Sequence, residues 1–376
     1  MKNDFMLVFD IGSSKIRAMV AKKGVNNTFI IKNHVDTDYD GFYEGRFLDR
    51  EKLSLIFSQM LTDLDYTLGK GEEKVYIGVP SEFSSVVSTS AFINFGERRK
   101  IKQSDIDSMF YSAGEKAKGE RVEIVSVNPI SFKIDDNRWV ANPVGEVANS
   151  LSCQLSIIYG GKEFIDLFNN IIAGLGFSSV EYISEPLAEA LFVITKEGRE
   201  DLNLLVDIGD LTTSVAVVKG EGLVNLSSFS IGGAFITNDL AEAFDLSLTE
   251  ADRLKRQVVL SLKGKASDFY ELTTDVGTVV KIPLNQANDV VGYTIDTIGS
   301  AISKCLQLFS SQYIPYLPVY LCGAGVSKIK GGRDYLAKCL GRNISYGVPP
   351  LPGKDKPELA SIYSLVSSAL NGEQNA

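Results

Sequence analysis

Apolar positions recur along the first hundred residues with two different periods, one typical of strands and one typical of a helix. The stretch "LVFDIGSSKIRAMV", which begins at Leu7, predicts two strands joined by a tight turn, and "FIIKNHV" and "KVYIGVP" predict two more strands. Between them, "REKLSLIFSQMLTDLDYTLG" has apolar residues at helical spacing and predicts a helix that ends at Gly69. Three strands, a helix and a strand are typical of the start of a mixed α/β layer.

The pattern changes from Ser81 to Tyr159 and indicates a small inserted α/β subdomain. Alternating runs predict half-buried strands, and "QSDIDSMFYSAGEKAK" predicts a helix with Ser104 as its N-cap. Two helices follow, in "GKEFIDLFNNIIAGLGF" and "EPLAEALFVI". The chain therefore returns to the α/β pattern after the insertion.

The opening motif occurs a second time. "LLVDIGDLTTSVAVV", with Asp207 in the place of Asp10, again has an apolar run, D-I-G, small polar residues and an apolar run. Two unrelated hairpins would also use turn residues here, but the repeated flanking pattern favours a duplicated fold. Glycine at each turn lets backbone N–H groups approach an anion, so we expect two phosphate clamps that hold one polyphosphate from opposite sides.

Two later segments fit a nucleotide site. A Gly-Gly turn at Gly232 precedes two helical segments, and the strand "PVYLCGAG" runs into the helical "GGRDYLAKCL". A strand followed by a G-x-G loop and a helix is a common place for backbone to approach a nucleotide. No GxxxxGK[ST] motif occurs, which excludes a P-loop.

Composition narrows the class of protein further. The 376 residues carry a net charge of −9 with a pI near 5.0, which argues against a nucleic-acid binder. Four scattered cysteines indicate neither a disulfide framework nor a zinc site, and the single histidine, His34, stands next to no candidate nucleophile. No secretory signal or membrane-spanning stretch is visible, so we expect a cytoplasmic protein.

Taken together, the two D-I-G hairpins, "EPLAEA", "ADRLK" and "CGAG" resemble the actin-like ATPases. Within them the chain resembles the FtsA family of bacterial cell-division proteins, through the position of the insertion, the segment ending in "NPVG" and the closing "KPELASIYSLVSSAL". The resemblance implies an actin-like (ribonuclease-H-like) duplicated α/β fold, with two large domains around a nucleotide cleft and an inserted small α/β subdomain. The implied domains are 1–80, 160–197 and 345–376 (1A), 81–159 (1C), 198–232 and 300–344 (2A), and 233–299 (2B).

The resemblance also implies a site for ATP and Mg²⁺. Asp10 and Asp207 would flank the metal, through water, and Glu185 would orient a water near the γ-phosphate. The implied nucleotide-binding residues are Gly12, Ser13, Ser14, Lys15, Gly209, Thr212, Thr213, Gly232, Gly233, Asp252, Lys255, Gly323, Ala324 and Gly325.

Two features depart from the family pattern. Asp210, Leu211 and Ser214 stand where the second clamp usually has two glycines and an aspartate, so we expect nucleotide binding with slow or absent hydrolysis. The closing helix after Pro357 lacks a basic side and predicts a core helix rather than a membrane anchor. Either the anchor has been removed, or this protein reaches the membrane through a partner.

Three functions remain as hypotheses. The favoured one is an FtsA-like protein that binds ATP, polymerises and links the FtsZ C-terminal peptide to other division proteins, which contact the inserted subdomain, at the inner face of the membrane at the division site. The second is a PilM-like adapter of a type IV pilus or secretion assembly, because "SIGGAFITNDLA" from Ser230 to Ala241 resembles the PilM pattern S-x-G-G-x-x-x-T-x-x-L-A. The third, a small-molecule kinase, lacks a motif for a carboxylate base.

Overall fold

Two compact units divide the chain. The computed structural model describes residues 5–25, 28–43, 45–66, 74–135, 138–309 and 316–372. Unit 1 comprises Met1–Asn203, Ala216–Ser227 and Ser361–Ala376, and unit 2 comprises Leu204–Val215 and Ser228–Ala360. The finer division into four subdomains stays a prediction.

The described residues of the first part of the chain form a mixed sheet, an inserted sheet, a short two-stranded pair and four α-helices. The five-stranded sheet has the order β11-β6-β1-β2-β3, in which β1, β2 and β3 are antiparallel neighbours and β1, β6 and β11 are parallel neighbours. The elements are β1 (Met6–Ile11), β2 (Lys15–Lys23), β3 (Phe29–Asp38), β4 (Phe42–Tyr43), β5 (Arg46–Phe47), α1 (Arg50–Asp63), β6 (Lys74–Val79), β7 (Ser84–Lys100), α2 (Gln103–Lys116), β8 (Val122–Ile134), β9 (Arg138–Val140), β10 (Val147–Gly161), α3 (Lys162–Gly174), β11 (Ser179–Ser184) and α4 (Glu185–Val193).

Helical spacing predicted α1 and α3 correctly. Every third or fourth residue of α1 is buried, including Leu53, Phe57 and Met60, and Phe57 stacks on Phe9 of β1 with ring centroids 4.5 Å apart. The predicted end of the first helix at Gly69 lies outside the described residues.

The inserted subdomain is a four-stranded antiparallel sheet, in the order β7-β10-β8-β9, with α2 against it. Alternate residues of β7 and β10 form a small apolar core with Ile106 and Met109 of α2. The predicted N-cap at Ser104 is wrong, because the helix begins at Gln103 and Lys102 is its N-cap. The carboxylate of Asp105, held by Arg99, accepts the N–H of Lys102 at 2.8 Å and performs the capping instead.

The rest of the chain forms a second five-stranded sheet, with the order β14-β13-β12-β17-β18. The helix α7, 25 residues long, was not predicted. The elements are β12 (Asn203–Ile208), β13 (Thr213–Lys219), β14 (Gly222–Phe229), α5 (Gly233–Phe244), α6 (Leu248–Gln257), β15 (Phe269–Thr273), β16 (Val279–Pro283), α7 (Leu284–Leu308), β17 (Val319–Cys322), α8 (Gly332–Leu340), β18 (Ile344–Tyr346) and α9 (Ala360–Gly372).

The two five-stranded sheets repeat one arrangement. In each, the strand that carries D-I-G is central, the next two strands in sequence lie on one side of it, and two later strands that pair in parallel lie on the other. This repeat confirms the duplicated α/β fold that the two motifs predicted.

The closing helix α9 is a core helix, as its apolar face predicted. Leu365 is fully buried and its methyl group fills the space beside Gly78 of β6, where a Cβ would lie 2.6 Å away. The helices among the described residues include none that is both long and apolar enough to cross a membrane.

Candidate functional site

The first glycine turn, in unit 1, joins β1 to β2. The N–H of Gly12 donates to the carbonyl oxygen of Lys15 at 3.0 Å and closes the turn. A Cβ on Gly12 would lie 2.7 Å from that oxygen, so the turn requires glycine there. The backbone of Ser14 is fixed by the N–H of Tyr39, which donates to its carbonyl oxygen at 2.9 Å.

Asp10, the last residue but one of β1, lies in the core and has a cationic partner. It is 2% exposed, and its Oδ2 accepts a hydrogen bond from Nη1 of Arg17 at 3.2 Å. Arg17 lies directly opposite on β2, and its Nε is 3.6 Å from Oδ2 of Asp36 on β3. Sequence reasoning missed Arg17, because its place opposite Asp10 depends on the register of the two strands.

The charges around Arg17 outweigh its burial. Burial alone would lower the pKa of the guanidinium, but the carboxylates of Asp10, Asp36 and Glu185 raise it, and the net shift is upward. Glu185 belongs to the first turn of α4, where a negative charge is favoured by the helix dipole. Lys15, predicted to contact phosphate, forms an ion pair with Asp38 at 3.0 Å on the surface.

The second glycine turn, in unit 2, repeats the first at the level of single bonds. The N–H of Gly209 donates to the carbonyl oxygen of Thr212 at 2.9 Å, the same bond three residues onward as in the first turn. The hydroxyl of Thr213 is buried and donates to the carbonyl oxygen of Ile231 at 2.6 Å. The side chain of Thr213 therefore stabilises the turn by holding it to the backbone of Ile231, a contact that the sequence did not predict.

Two glycine segments pack against the carbonyl side of this second turn. Gly233 N–H donates to the carbonyl oxygen of Gly209 at 2.9 Å, and Gly325 N–H donates to that of Ile208 at 2.8 Å. A Cβ on Gly325 would lie 2.4 Å from the carbonyl oxygen of Gly209. Gly323 has a φ of +80°, and a Cβ there would lie 2.1 Å from Oδ1 of Asp207. These glycines allow the close approach of backbone that a nucleotide site requires.

Lys255 lies beside the Gly-Gly turn with its side chain 12% exposed. Its Nζ donates to the carbonyl oxygen of Gly233 at 3.0 Å and to Oγ1 of Thr237 at 2.8 Å. Burial lowers the pKa of Lys255, although the charges of Asp252 and Asp210 partly oppose that shift. A positive charge near Asp210 offsets the repulsion that this residue would exert on a polyanion.

Each unit thus gathers its own share of the predicted residues. Unit 1 holds the first turn, Asp10 and Glu185, and adds Arg17; unit 2 holds the second turn, the two glycine segments and Lys255 with Asp252, and adds Thr237. Their roles in nucleotide binding, and the convergence of both turns on one nucleotide, stay predictions.

The fold and its two glycine turns define an actin-like protein. The family model for cell division protein FtsA matches residues 204–364, and that for the SHS2 domain inserted in FtsA matches residues 84–159. The two matched segments together span well over half of the chain. The chain therefore belongs to the FtsA family of cell division proteins.

Individual proteins agree with this assignment. The cell division protein FtsA of Staphylococcus epidermidis (strain ATCC 12228 / FDA PCI 1200) is 22% identical over 374 residues, which are 98% of this chain and 80% of that protein. Among solved structures, a chain of the PilM-PilN type IV pilus biogenesis complex is similar with a TM-score of 0.64 and 17% identity, over 97% of this chain and 98% of that one. MreB 5 of Spiroplasma citri bound to AMPPNP has a TM-score of 0.60 and 12% identity, over 100% and 98%. At such identities the two structures establish the fold alone.

Proposed function

We propose that this protein binds ATP at its glycine turns. The observation that carries the proposal is the pair of turns with the same bond, Gly12 to Lys15 and Gly209 to Thr212, on two copies of one sheet. In each turn, glycine leaves the backbone open to an anion. A protein of the same fold, MreB 5 of Spiroplasma citri, has been solved with AMPPNP bound.

The nucleotide would bind together with Mg²⁺. When bound, the ion would neutralise phosphate charge, which is most of what a phosphoryl-transfer site has to do. Asp207 follows the buried strand segment of β12 and is the carboxylate that fits the water shell of the ion; Asp10 fits less well, because it is already paired with Arg17. We expect slow hydrolysis, because Asp210 and Leu211 replace the glycines that would let backbone press against the phosphates.

Membership of the FtsA family supports an adapter role in cell division. We propose that ATP stabilises a polymerising form and that the chain links the FtsZ C-terminal peptide to other division proteins through the inserted subdomain. Ligand can shift such an equilibrium only by its different affinity for the two forms. The proposed place of action is the inner face of the membrane at the division site, reached through a partner.

Direct binding tests the nucleotide proposal. Titration of the purified chain with a fluorescent ATP analogue, with GTP and AMP as competitors, should give saturable binding that ATP displaces and the others displace poorly. Turnover measured in the same samples should stay far below the range of about 1–100 s⁻¹ that is typical of kinases. Failure of any adenine nucleotide to bind at millimolar concentration would end the proposal.

The PilM-like adapter is the second candidate. It is favoured by the similarity to the PilM-PilN complex chain, but that similarity shows fold alone, whereas both matching family models are those of FtsA. Immobilised peptides separate the two functions. Retention of the chain by an FtsZ C-terminal peptide, and not by a peptide of a pilus inner-membrane protein, supports the cell-division role, and the opposite result supports the pilus role.

A further inference from the structure

Arg17 gives the first turn a cation of its own. The guanidinium lies in a row across three strands, with Asp10 of β1 on one side and Asp36 of β3 on the other, at 3.2 Å and 3.6 Å. The side chain of Asp10 is 3% exposed and that of Arg17 is 23% exposed. A buried carboxylate at this distance from a guanidinium is a tight pair, because little water remains to screen the charges.

The second turn provides an internal comparison. Asp10 and Asp207 occupy the same place in the two D-I-G motifs, and Arg17 follows Asp10 by the same number of residues as Ser214 follows Asp207. Ser214 carries no charge. The cation is therefore a property of the first repeat alone, and the requirements of the shared fold do not explain it.

We propose that Arg17, rather than a divalent ion, neutralises Asp10, and that Arg17 thereby sets how strongly nucleotide binding depends on Mg²⁺. The inference rests on the proposed binding of ATP. When Arg17 neutralises Asp10, this carboxylate neither repels the phosphates nor recruits a metal. Asp10 then adds nothing to the metal dependence of binding, and what dependence remains comes from other groups in the site. Arg17 acts through Asp10 and is a positioning residue.

The quantity that tests the proposal is a ratio, the dissociation constant of ATP measured in EDTA divided by that measured in Mg²⁺. Arg17→Met leaves Asp10 as an unpaired buried carboxylate, which repels ATP in EDTA and can be neutralised by Mg²⁺. We expect the ratio to rise about tenfold, in keeping with the effect of an uncompensated buried charge. Arg17→Lys retains the charge and should keep the ratio within about twofold of the wild-type value.

Asp10→Asn decides the question even if Arg17→Met folds poorly. If Arg17 already neutralises Asp10, the asparagine leaves the ratio unchanged within about twofold. ATP then binds in EDTA at least as tightly, since Arg17 has one compensating carboxylate fewer and only Asp36 remains beside it. If Asp10 holds the metal, the amide lowers affinity in Mg²⁺ and collapses the ratio, which would overturn the inference. The double variant Arg17→Met, Asp10→Asn should return the ratio to the wild-type value.

Two controls complete the experiment. Lys32→Met removes a positive charge from the exposed side of β3 in the same sheet and should leave the ratio unchanged. Circular dichroism melts check that each variant is folded. No binding by the wild-type chain in either buffer refutes the proposed function, whereas binding with an unchanged ratio in folded Arg17→Met refutes this inference alone.

Discussion

At the scale of single residues, the absence of a side chain at Gly12 keeps the first turn closed. The carbonyl oxygen of Lys15 accepts the N–H of Gly12 at 3.0 Å and would lie 2.7 Å from a Cβ at the same residue. Gly12→Ala must therefore open the turn that is proposed to face phosphate. We expect ATP affinity to fall at least about tenfold, while stability falls by about 1–2 kcal/mol, a typical value for a strained substitution.

Gly174→Ala is the matched control for this prediction. Gly174 is the last residue of α3, and no atom outside its chain neighbours and the backbone of its own helix lies within 4 Å of the Cβ that alanine would add. Titration with a fluorescent ATP analogue should give the wild-type affinity for this variant. Equal affinities for Gly12→Ala and Gly174→Ala would show that the first turn does not contact the nucleotide.

Single residues also mark the limit of what the sequence predicts. The need for glycine at both turns was predictable, because a tight turn with close backbone approach favours a residue without a side chain. The pairing of Asp10 with Arg17 was not, since it depends on the register of β1 and β2, and register follows from a turn length that several turn types could satisfy.

At the scale of elements, the start of α2 depends on one carboxylate. Asp105 accepts two hydrogen bonds from the guanidinium of Arg99, both at 2.9 Å, and also caps Lys102. The bonds from Arg99, with a smaller part from Lys102, lower the pKa of Asp105 from 3.8 to about 2 against the opposing effect of burial. A lowered pKa means that the folded state prefers the ionised form.

The sign of the pH dependence follows from that shift. The stabilisation by Asp105 is complete above pH 3.8 and is lost as the pH falls towards about 2. Asp105→Asn should lower the free energy of unfolding by about 1 kcal/mol at neutral pH, with the deficit narrowing at about pH 3. Urea unfolding at both pH values measures this. Asp107→Asn, with the same change of charge on the exposed side of α2, should show a smaller deficit; a deficit for Asp105→Asn that is constant with pH would contradict the assignment.

A second element-scale prediction concerns Arg199, which ties α4 to the turn between β13 and β14. The side chain is 6% exposed and donates to the carbonyl oxygens of Leu191 and Gly220, at 3.1 Å and 2.9 Å, and to both carboxylate oxygens of Glu221. Arg199→Met removes the donor from two part-buried carbonyl oxygens and leaves Glu221, whose side chain is 43% exposed, without its partner, so we expect a loss of about 1–3 kcal/mol.

Urea unfolding with an exposed ion pair as control checks the Arg199 prediction. Arg138 pairs with Glu146 at 2.8 Å, but both side chains are at least 40% exposed. Arg138→Met should change the free energy of unfolding by less than about 1 kcal/mol. Similar losses for the two variants would mean that the Arg199 hydrogen bonds are not the source of the stability.

The helix α7 shows why one long element escaped prediction. It contains Gly292 and Gly299, and a glycine inside a helix costs about 1 kcal/mol relative to alanine, which weakens the helical pattern of the sequence. In the structure these glycines admit side chains of α8: a Cβ would lie 2.8 Å from the hydroxyl of Tyr335 at Gly292 and 2.5 Å from Sγ of Cys339 at Gly299. Glycine here serves close helix packing, a purpose that depends on a neighbour distant in sequence.

At the scale of the whole molecule, the duplication could be predicted because it leaves a local trace at both copies. The D-I-G motif, the flanking strands and the turn bond recur together, and the strand order of the sheet is the same in both copies. The boundaries of the two units could not be predicted from the sequence with the same precision. Residues Ala216–Ser227 belong to unit 1 although they follow Leu204–Val215 of unit 2, an assignment made by tertiary packing rather than by any break in the sequence.

The last prediction concerns assembly of the whole chain. If ATP favours a polymerising form, the pelleted fraction in ultracentrifugation should rise with ATP and electron microscopy of the same samples should show filaments. Gly174→Ala should behave like the wild-type chain. Gly12→Ala, with its turn opened, should require at least about tenfold more ATP to reach the same pelleted fraction, because the linkage acts through nucleotide affinity. Pelleting that ignores ATP in all three proteins, or monomers throughout in the presence and absence of lipid, would contradict a nucleotide-controlled filament.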